Sequence, residues 1–237
     1  RLVYSRGRFM MNNIDAVAFD VDGTLYPDYR FYLRVIPKAL SRFRLIAAFA
    51  GARRRIRRSG IVEDSFYDLQ ARLCAEGLGM GKKAAVTETV KALISRCIYA
   101  SWENLFSGIK LFPYVKECIL SFKKNGLKLA VLSDFPLGKK IGHLGLSGLW
   151  DAELSSEEIG ALKPHPLPFR RLAEALGLPP QRILYVGNSY VYDVTGAKSA
   201  GMMPALRCMC PRFLSGRKRA GIFAFRDYRQ LQEYVLR

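Results

Sequence analysis

Two aspartates, Asp20 and Asp22, close the apolar run Ala16-Val17-Ala18-Phe19 and stand directly before Gly23. An apolar run closed by glycine reads as a buried strand emptying into a turn. Residues two apart in an extended chain point to the same side. Both carboxylates therefore converge at the sheet edge, where open α/β sheets bind ligands. Two carboxylates about 4 Å apart repel by roughly 4 kcal/mol at an effective dielectric near 20. Such a pair calls for a cation or a shared proton, and oxygen donors of this kind suit Mg²⁺. The competing reading is a plain turn capped by Asp20.

Three later stretches could complete a site. Ser133 follows the apolar run Leu129-Ala130-Val131-Leu132, so its hydroxyl is expected at the same sheet edge as Asp20, unless it only caps a helix. Lys163 sits in Gly160-Ala161-Leu162-Lys163-Pro164-His165-Pro166; a lone lysine before proline is ordinarily solvated. His165 in the same stretch reads as a surface turn residue. In Tyr185-Val186-Gly187-Asn188, a strand ends beside an amide oxygen, and Asp193 follows at a spacing that returns its carboxylate to the same side.

Taken together and in this order, these stretches resemble the four motifs of the haloacid dehalogenase-like (HAD) superfamily. Phe19-Asp20-Val21-Asp22-Gly23-Thr24-Leu25 is similar to its first motif in the phosphatase form, Asp-x-Asp-Gly-Thr. Ser133 resembles the second, Gly160-x-x-Lys163-Pro164-x-Pro166 the third, and Gly187-Asn188-Ser189 with Asp193-x-x-Gly196-Ala197 the fourth. The resemblance implies that Asp20 is the nucleophile and Asp22 the general acid and base. It further implies that Ser133 and Lys163 bind phosphate, and that Asp20, Asp22 (through its backbone carbonyl), Asn188 and Asp193 hold Mg²⁺. Two departures stand out. Asp134 occupies a position where many relatives carry Asn, which adds an anion near the phosphate. Asn188 replaces the usual first Asp of the fourth motif, so the metal is expected to bind more weakly but not to be lost.

The implied activity is Mg²⁺-dependent hydrolysis of a small phosphorylated metabolite through an aspartyl-phosphate. Carbon–halogen cleaving relatives lack the second Asp of the first motif, so Asp22 argues against a dehalogenase. A phosphonatase would need a lysine from the insertion, with Lys38, Lys82, Lys83 and Lys91 available. A phosphomutase shares all four motifs and stays open. So does a weakly active relative whose basic insertion binds an anionic membrane or nucleic acid.

Elements with the right periodicity must carry these groups. After Leu25, nothing from about 29 to 111 reads as a buried strand. Helical spacing runs through Ile36, Leu40, Phe43, Ala47 and Ala50, then from a cap at Asp64 or Ser65 to about Glu76, then over 87–106. From 111 onward, strands and helices alternate, the signature of a parallel α/β sheet. Helices are expected over 113–125, 139–146, 166–176, 192–200 and from about 227. Strands are expected over 127–132, 152–154, 182–186 and 204–207. The fold class is thus α/β, a Rossmann-like parallel-sheet core of the HAD type with an inserted all-helical cap. The expected boundaries are an N-terminal arm at 1–13, a core at 14–28 and 111–237, and a cap at 29–110, where the superfamily places its type-1 cap.

The 237 residues suffice for such a core, and half of them are hydrophobic. Five cysteines without regular spacing point to a reducing compartment, the cytoplasm, and Cys208-x-Cys210 lacks partners for a zinc site. No apolar run is long enough to cross a bilayer, and residues 1–13 show no secretory h-region. The net charge of +18 is concentrated between Arg30 and Gly60, where ten Lys and Arg occur without one acidic residue, and again over 212–219. Such fields attract anions. Solvated helix faces, steering of an anionic substrate and weak binding to an anionic membrane all fit. Sparse aromatics among the arginines after Phe49 disfavour nucleic-acid stacking.

Overall fold

The structure, a computed structural model, describes residues 14–62, 65–81, 83–209 and 221–237. The expected arm, Asp64, Lys82, Cys210 and the basic run at 212–219 lie outside them. Among the described residues there are six strands: β1 (Ala16–Phe19), β2 (Lys128–Ser133), β3 (Ala152–Ser155), β4 (Ile183–Gly187), β5 (Met203–Arg207) and β6 (Phe223–Phe225). They form one parallel sheet in the order β3-β2-β1-β4-β5-β6. This is a Rossmann-like order, and it reverses at β1, whose neighbours are β2 and β4. β1 is buried along its whole length, which is why its sequence is apolar without alternation.

Alternate residues of the central strands feed two cores. Val17, Phe19, Leu129, Val131, Leu184 and Val186 pack with α6 (Val115–Lys124) and α11 (Tyr228–Leu236). Ala16, Ala18, Ala130, Leu132, Ile183 and Tyr185 pack on the other face with α9 (Pro166–Leu176) and α10 (Thr195–Ser199). Short helices α7 (Lys140–His143) and α8 (Ser156–Ile159) follow β2 and β3. The three-residue β6 and the four-residue α8 carry too little pattern to be read from sequence.

Among the described residues, every regular element between β1 and α6 is helical: α1 (Asp28–Leu40), α2 (Phe43–Ser59), α3 (Phe66–Gly77), α4 (Ala84–Ile94) and α5 (Ser101–Glu103), with a wide turn over Ser95–Ala100 joining the last two and a tight one over Asn104–Phe106 after α5. Ala48, Phe49, Ala52, Ala71, Cys74, Val90 and Ile98 form a separate small core. The helical spacing read through 36–50 is interrupted. Arg42 leaves helical geometry (φ −132°), so two helices replace one. Ile36, Leu40 and Phe43 are exposed, and α1 instead buries Phe31 and Val35. The expected helix over 87–106 starts at Ala84 and widens at Ser95. Ser65 caps α3 as expected, its hydroxyl accepting from the Asp68 N–H.

The arginines of α2 correct the simplest reading of the basic cluster. Arg54, Arg55 and Arg58 are exposed, but Arg53 is buried and Arg57 half-buried. Four residues apart, they share the helix face of Phe49 and Ile56 and point inward. Arg53 pairs with Glu157 of α8 and lies 4.0 Å over the Phe135 ring. Arg57 pairs with Asp134 at 2.6 Å and donates through Nε to the Lys163 carbonyl at 2.7 Å. They join the helical segment to the sheet.

Candidate active site

The predicted residues meet at the C-terminal edge of β1, β2 and β4. Asp20 is buried, with Oδ2 accepting from Thr24 Oγ1 at 2.7 Å and Oδ1 from Lys163 Nζ at 2.6 Å. The same ammonium donates to Asp193 Oδ1 at 2.9 Å, and to the Leu132 carbonyl and Tyr185 hydroxyl at 3.3 Å. Lys163 is therefore not the solvated lysine its Pro-flanked setting would suggest. It is 2% exposed. Burial opposes its charge, but Asp193 and Asp20 outweigh that and raise it well above the ordinary lysine range.

Close approach of the chain makes this cluster possible. A Cβ on Gly187 would lie 2.3 Å from the Cβ of Asp193, so a side chain there would displace the carboxylate. Gly23 takes a left-handed φ of +81°, and a Cβ there would lie 2.2 Å from Asn188 Nδ2. Asn188 Oδ1 stands 3.4 Å from Thr24 Oγ1. The turn after β4 is fixed by Ser189, whose N–H donates to Asp193 Oδ2 at 2.9 Å and whose hydroxyl accepts from the Tyr192 N–H.

Asp22 turns the other way. Its carboxylate accepts from the Tyr26 hydroxyl, from Ser133 Oγ at 3.3 Å and from Lys140 Nζ at 2.9 and 3.1 Å. Burial would raise its pKa, but Lys140 and Tyr26 overcome this and hold it below the ordinary carboxylate range. Asp20 behaves oppositely. Burial, with Asp193 and Asp22 nearby, outweighs Lys163 and pushes its carboxyl up to about 7. Two aspartates two residues apart thus stand in contrasting environments.

Lys140 is the site residue that sequence reasoning missed. It is 3% exposed, on α7, with its ammonium 3.5 Å from Ser133 Oγ and 4.9 Å from the Phe106 ring centroid. Ser133, fully buried, faces the site; it also accepts from the Phe135 N–H at 3.1 Å in the turn after β2, but α7 begins only at Lys140, so it caps no helix. Asp134 does not load the site with a free anion. Its Oδ1 accepts from the Lys163 N–H, its Oδ2 pairs with Arg57, and Lys163, Arg53 and Arg57 overcome burial to depress its pKa. His165 caps α9, Nδ1 accepting from the Leu167 N–H.

Among the described residues, no three Asp, Glu, His or Cys side chains are grouped to hold a metal. The side-chain donors are the Asp20 and Asp193 carboxylates and the Asn188 amide; the Asp22 side chain is turned to Lys140, which leaves only its backbone carbonyl for the role the resemblance implies. Hard oxygen donors carrying more negative charge than one lysine neutralises still fit a small divalent cation.

Comparison with known proteins agrees with this geometry. The model of the haloacid dehalogenase-like hydrolase family matches residues 14–201. The chain belongs to that family and is a hydrolase. A phosphoglycolate phosphatase of Haemophilus influenzae (strain 86-028NP) is 29% identical over 199 residues, covering 81% of this chain and 84% of its own. A glyceraldehyde 3-phosphate phosphatase of Methanothermobacter thermautotrophicus is 27% identical over 203 residues, covering 81% and 85%. The crystal structure of a HAD phosphatase from Thermococcus onnurineus superposes with a TM-score of 0.62 at 21% identity, covering 93% of this chain and 97% of that one.

Proposed function

We propose that this chain is a Mg²⁺-dependent phosphatase that hydrolyses a small phosphorylated molecule through an aspartyl-phosphate on Asp20. The observation that carries the reading is the division of labour between the aspartates: Asp20 faces Lys163 and Asp193, while Asp22 faces Lys140 and an adjoining cavity. Two relatives named for phosphorylated small substrates support it.

In this reading Asp20 attacks phosphorus, the bond to the leaving oxygen breaks, and Asp22 gives that oxygen its proton. Asp22 then takes a proton from water, whose oxygen attacks the phosphoryl group, releasing inorganic phosphate and restoring Asp20. Proton transfer of this kind contributes about 10²–10⁴-fold. Lys163 and Ser133 bind the equatorial oxygens as charge develops. Lys140 keeps Asp22 ionised in the free protein; an arriving phosphate is a competing anion that loosens this hold and lets Asp22 carry a proton. Asp20, Asn188 and Asp193, with the Asp22 backbone carbonyl, would hold Mg²⁺, which when bound neutralises phosphate charge. Helices α1 to α5 serve as the cap over the site. Of the lysines a phosphonatase could use, Lys91 pairs with Asp68 on α3.

The test is phosphate release from an aryl phosphate, with Mg²⁺ or chelator, by wild type and Asp20→Asn. Release that needs metal and falls at least about 10³-fold in the variant is expected. Release that survives Asp20→Asn would remove the covalent mechanism.

A second reading is favoured by one observation on α1 and the start of α2. Tyr29, Tyr32, Leu33, Ile36, Leu40 and Phe43 are all exposed, in steps of three, four and one, beside Arg30, Arg34 and Arg42. An apolar stripe flanked by cations suits the surface of an anionic membrane.

A further inference from the structure

Resting on the phosphatase reading, we infer that the leaving group is an apolar alcohol, aryl or alkyl, carrying no second acid group. The cavity next to Asp22 decides this. Its volume is about 270 Å³, and Asp22, the group assigned to protonate the leaving oxygen, lines it. The alcohol released from phosphorus therefore occupies this space. An apolar cavity of roughly 150 Å³ accommodates benzene, so this one holds a ring with several further atoms.

The walls are aromatic. Tyr26, Phe31, Tyr32, Trp102, Phe106 and Phe135 contribute from both the helical insertion and the loop after β2. Their rings form one continuous surface: Phe31 stacks on Phe106 at 4.7 Å, Trp102 meets Phe31 at 5.5 Å and Phe135 at 5.8 Å, and Tyr26 meets Phe106 at 6.0 Å. Burying an apolar group against them gains roughly 25 cal/mol for each Å² removed from water. A small ester whose alcohol part carries a second acid group gains nothing there.

The charges point the same way. Three carboxylates line the cavity, Asp22, Asp28 and Glu103, against one cation, Lys140, which is already paired with Asp22. A carboxylate on the leaving group would meet like charges without a free partner, and discrimination through such contacts works by repulsion as much as attraction. Phosphoglycolate, the substrate named for one relative, carries such a carboxylate. Tyr32 lines the cavity while 57% exposed, so it meets both the leaving group and solvent.

The experiment has two arms. In the first, kcat/KM is measured with Mg²⁺ for benzyl phosphate and for 2-phosphoglycolate. The expected result is at least about tenfold preference for the benzyl ester, the range a hydrophobic pocket supplies. Tyr32→Lys, an exposed substitution that removes a ring from the cavity lining and adds a cation, is expected to reduce that preference severalfold. In the second arm, benzylphosphonate and phosphonoacetate are titrated calorimetrically into Asp20→Asn. Tighter binding of benzylphosphonate is expected. Preference for phosphoglycolate in turnover, or for phosphonoacetate in binding, overturns the inference while leaving the phosphatase reading intact. Absence of turnover with tighter benzylphosphonate binding sinks the phosphatase reading and upholds the cavity's chemistry.

Discussion

At the scale of single residues, the site is governed by which carboxylate meets which cation. Asp134 gives the cleanest case. Its depressed pKa arises because Lys163, Arg53 and Arg57 outweigh its burial. A carboxyl whose folded pKa lies below its unfolded value, about 3.9, contributes stability that is present above that pH and lost as pH falls through the folded value. Asp134→Asn keeps an acceptor for the Lys163 N–H but removes the charge facing Arg57. It is expected to cost about 1–3 kcal/mol near pH 7 in urea unfolding. The gap from wild type should shrink toward pH 3; a gap constant with pH would show that charge is not the cause.

At the scale of elements, α1 and α2 use basic residues differently. On α2 the cations at the inward positions are internal fasteners. On α1 they flank an apolar stripe that no described residue covers. If that stripe lies on an anionic membrane, Ile36→Asp with Leu40→Asp should lower sedimentation with phosphatidylserine-containing vesicles at least about tenfold, since each substitution removes an apolar anchor and adds a repelled charge. Both side chains are exposed, so thermal stability and turnover of a soluble ester should stay close to wild type. Equal sedimentation of variant and wild type would dismiss the membrane reading.

Across the whole molecule, α2 is held to the sheet domain by buried ion pairs as well as apolar contact. Arg53 reaches Glu157 on α8, and Glu157 also accepts from the Tyr99 hydroxyl at 2.8 Å. Removing one partner of a buried pair leaves the other uncompensated. Arg53→Met is expected to destabilise by about 3–5 kcal/mol, whereas Arg53→Met with Glu157→Gln should recover part of the loss. Equilibrium unfolding of both variants measures this. Additive losses would mean that the two residues do not act as a pair.

What the sequence by itself determined is the central sheet edge. β1 had to be apolar because it is covered on both faces, and the residues ending β1, β2 and β4 had to gather where the strand order reverses. Asp20, Asp22, Ser133 and Asp193 were legible for that reason, each following the end of a strand; Lys163 was legible only through the likeness of Gly160-x-x-Lys163-Pro164 to the third motif, since its own setting reads as solvated. Tertiary structure decided which charges pair and what shape surrounds them. The stripe at Ile36 and Leu40 has helical spacing whether it faces a core or solvent, so its exposure could not be read. Arg53 and Arg57 look like their exposed neighbours until α2 is laid against Asp134 and Glu157. Lys139 and Lys140 make the point most sharply. They are chemically identical neighbours, yet the Lys139 side chain is 72% exposed beside Glu103, while Lys140 is buried against Asp22, 118 residues away in the chain. No local signal separates them, because burial and pairing depend on segments that only the folded chain brings together.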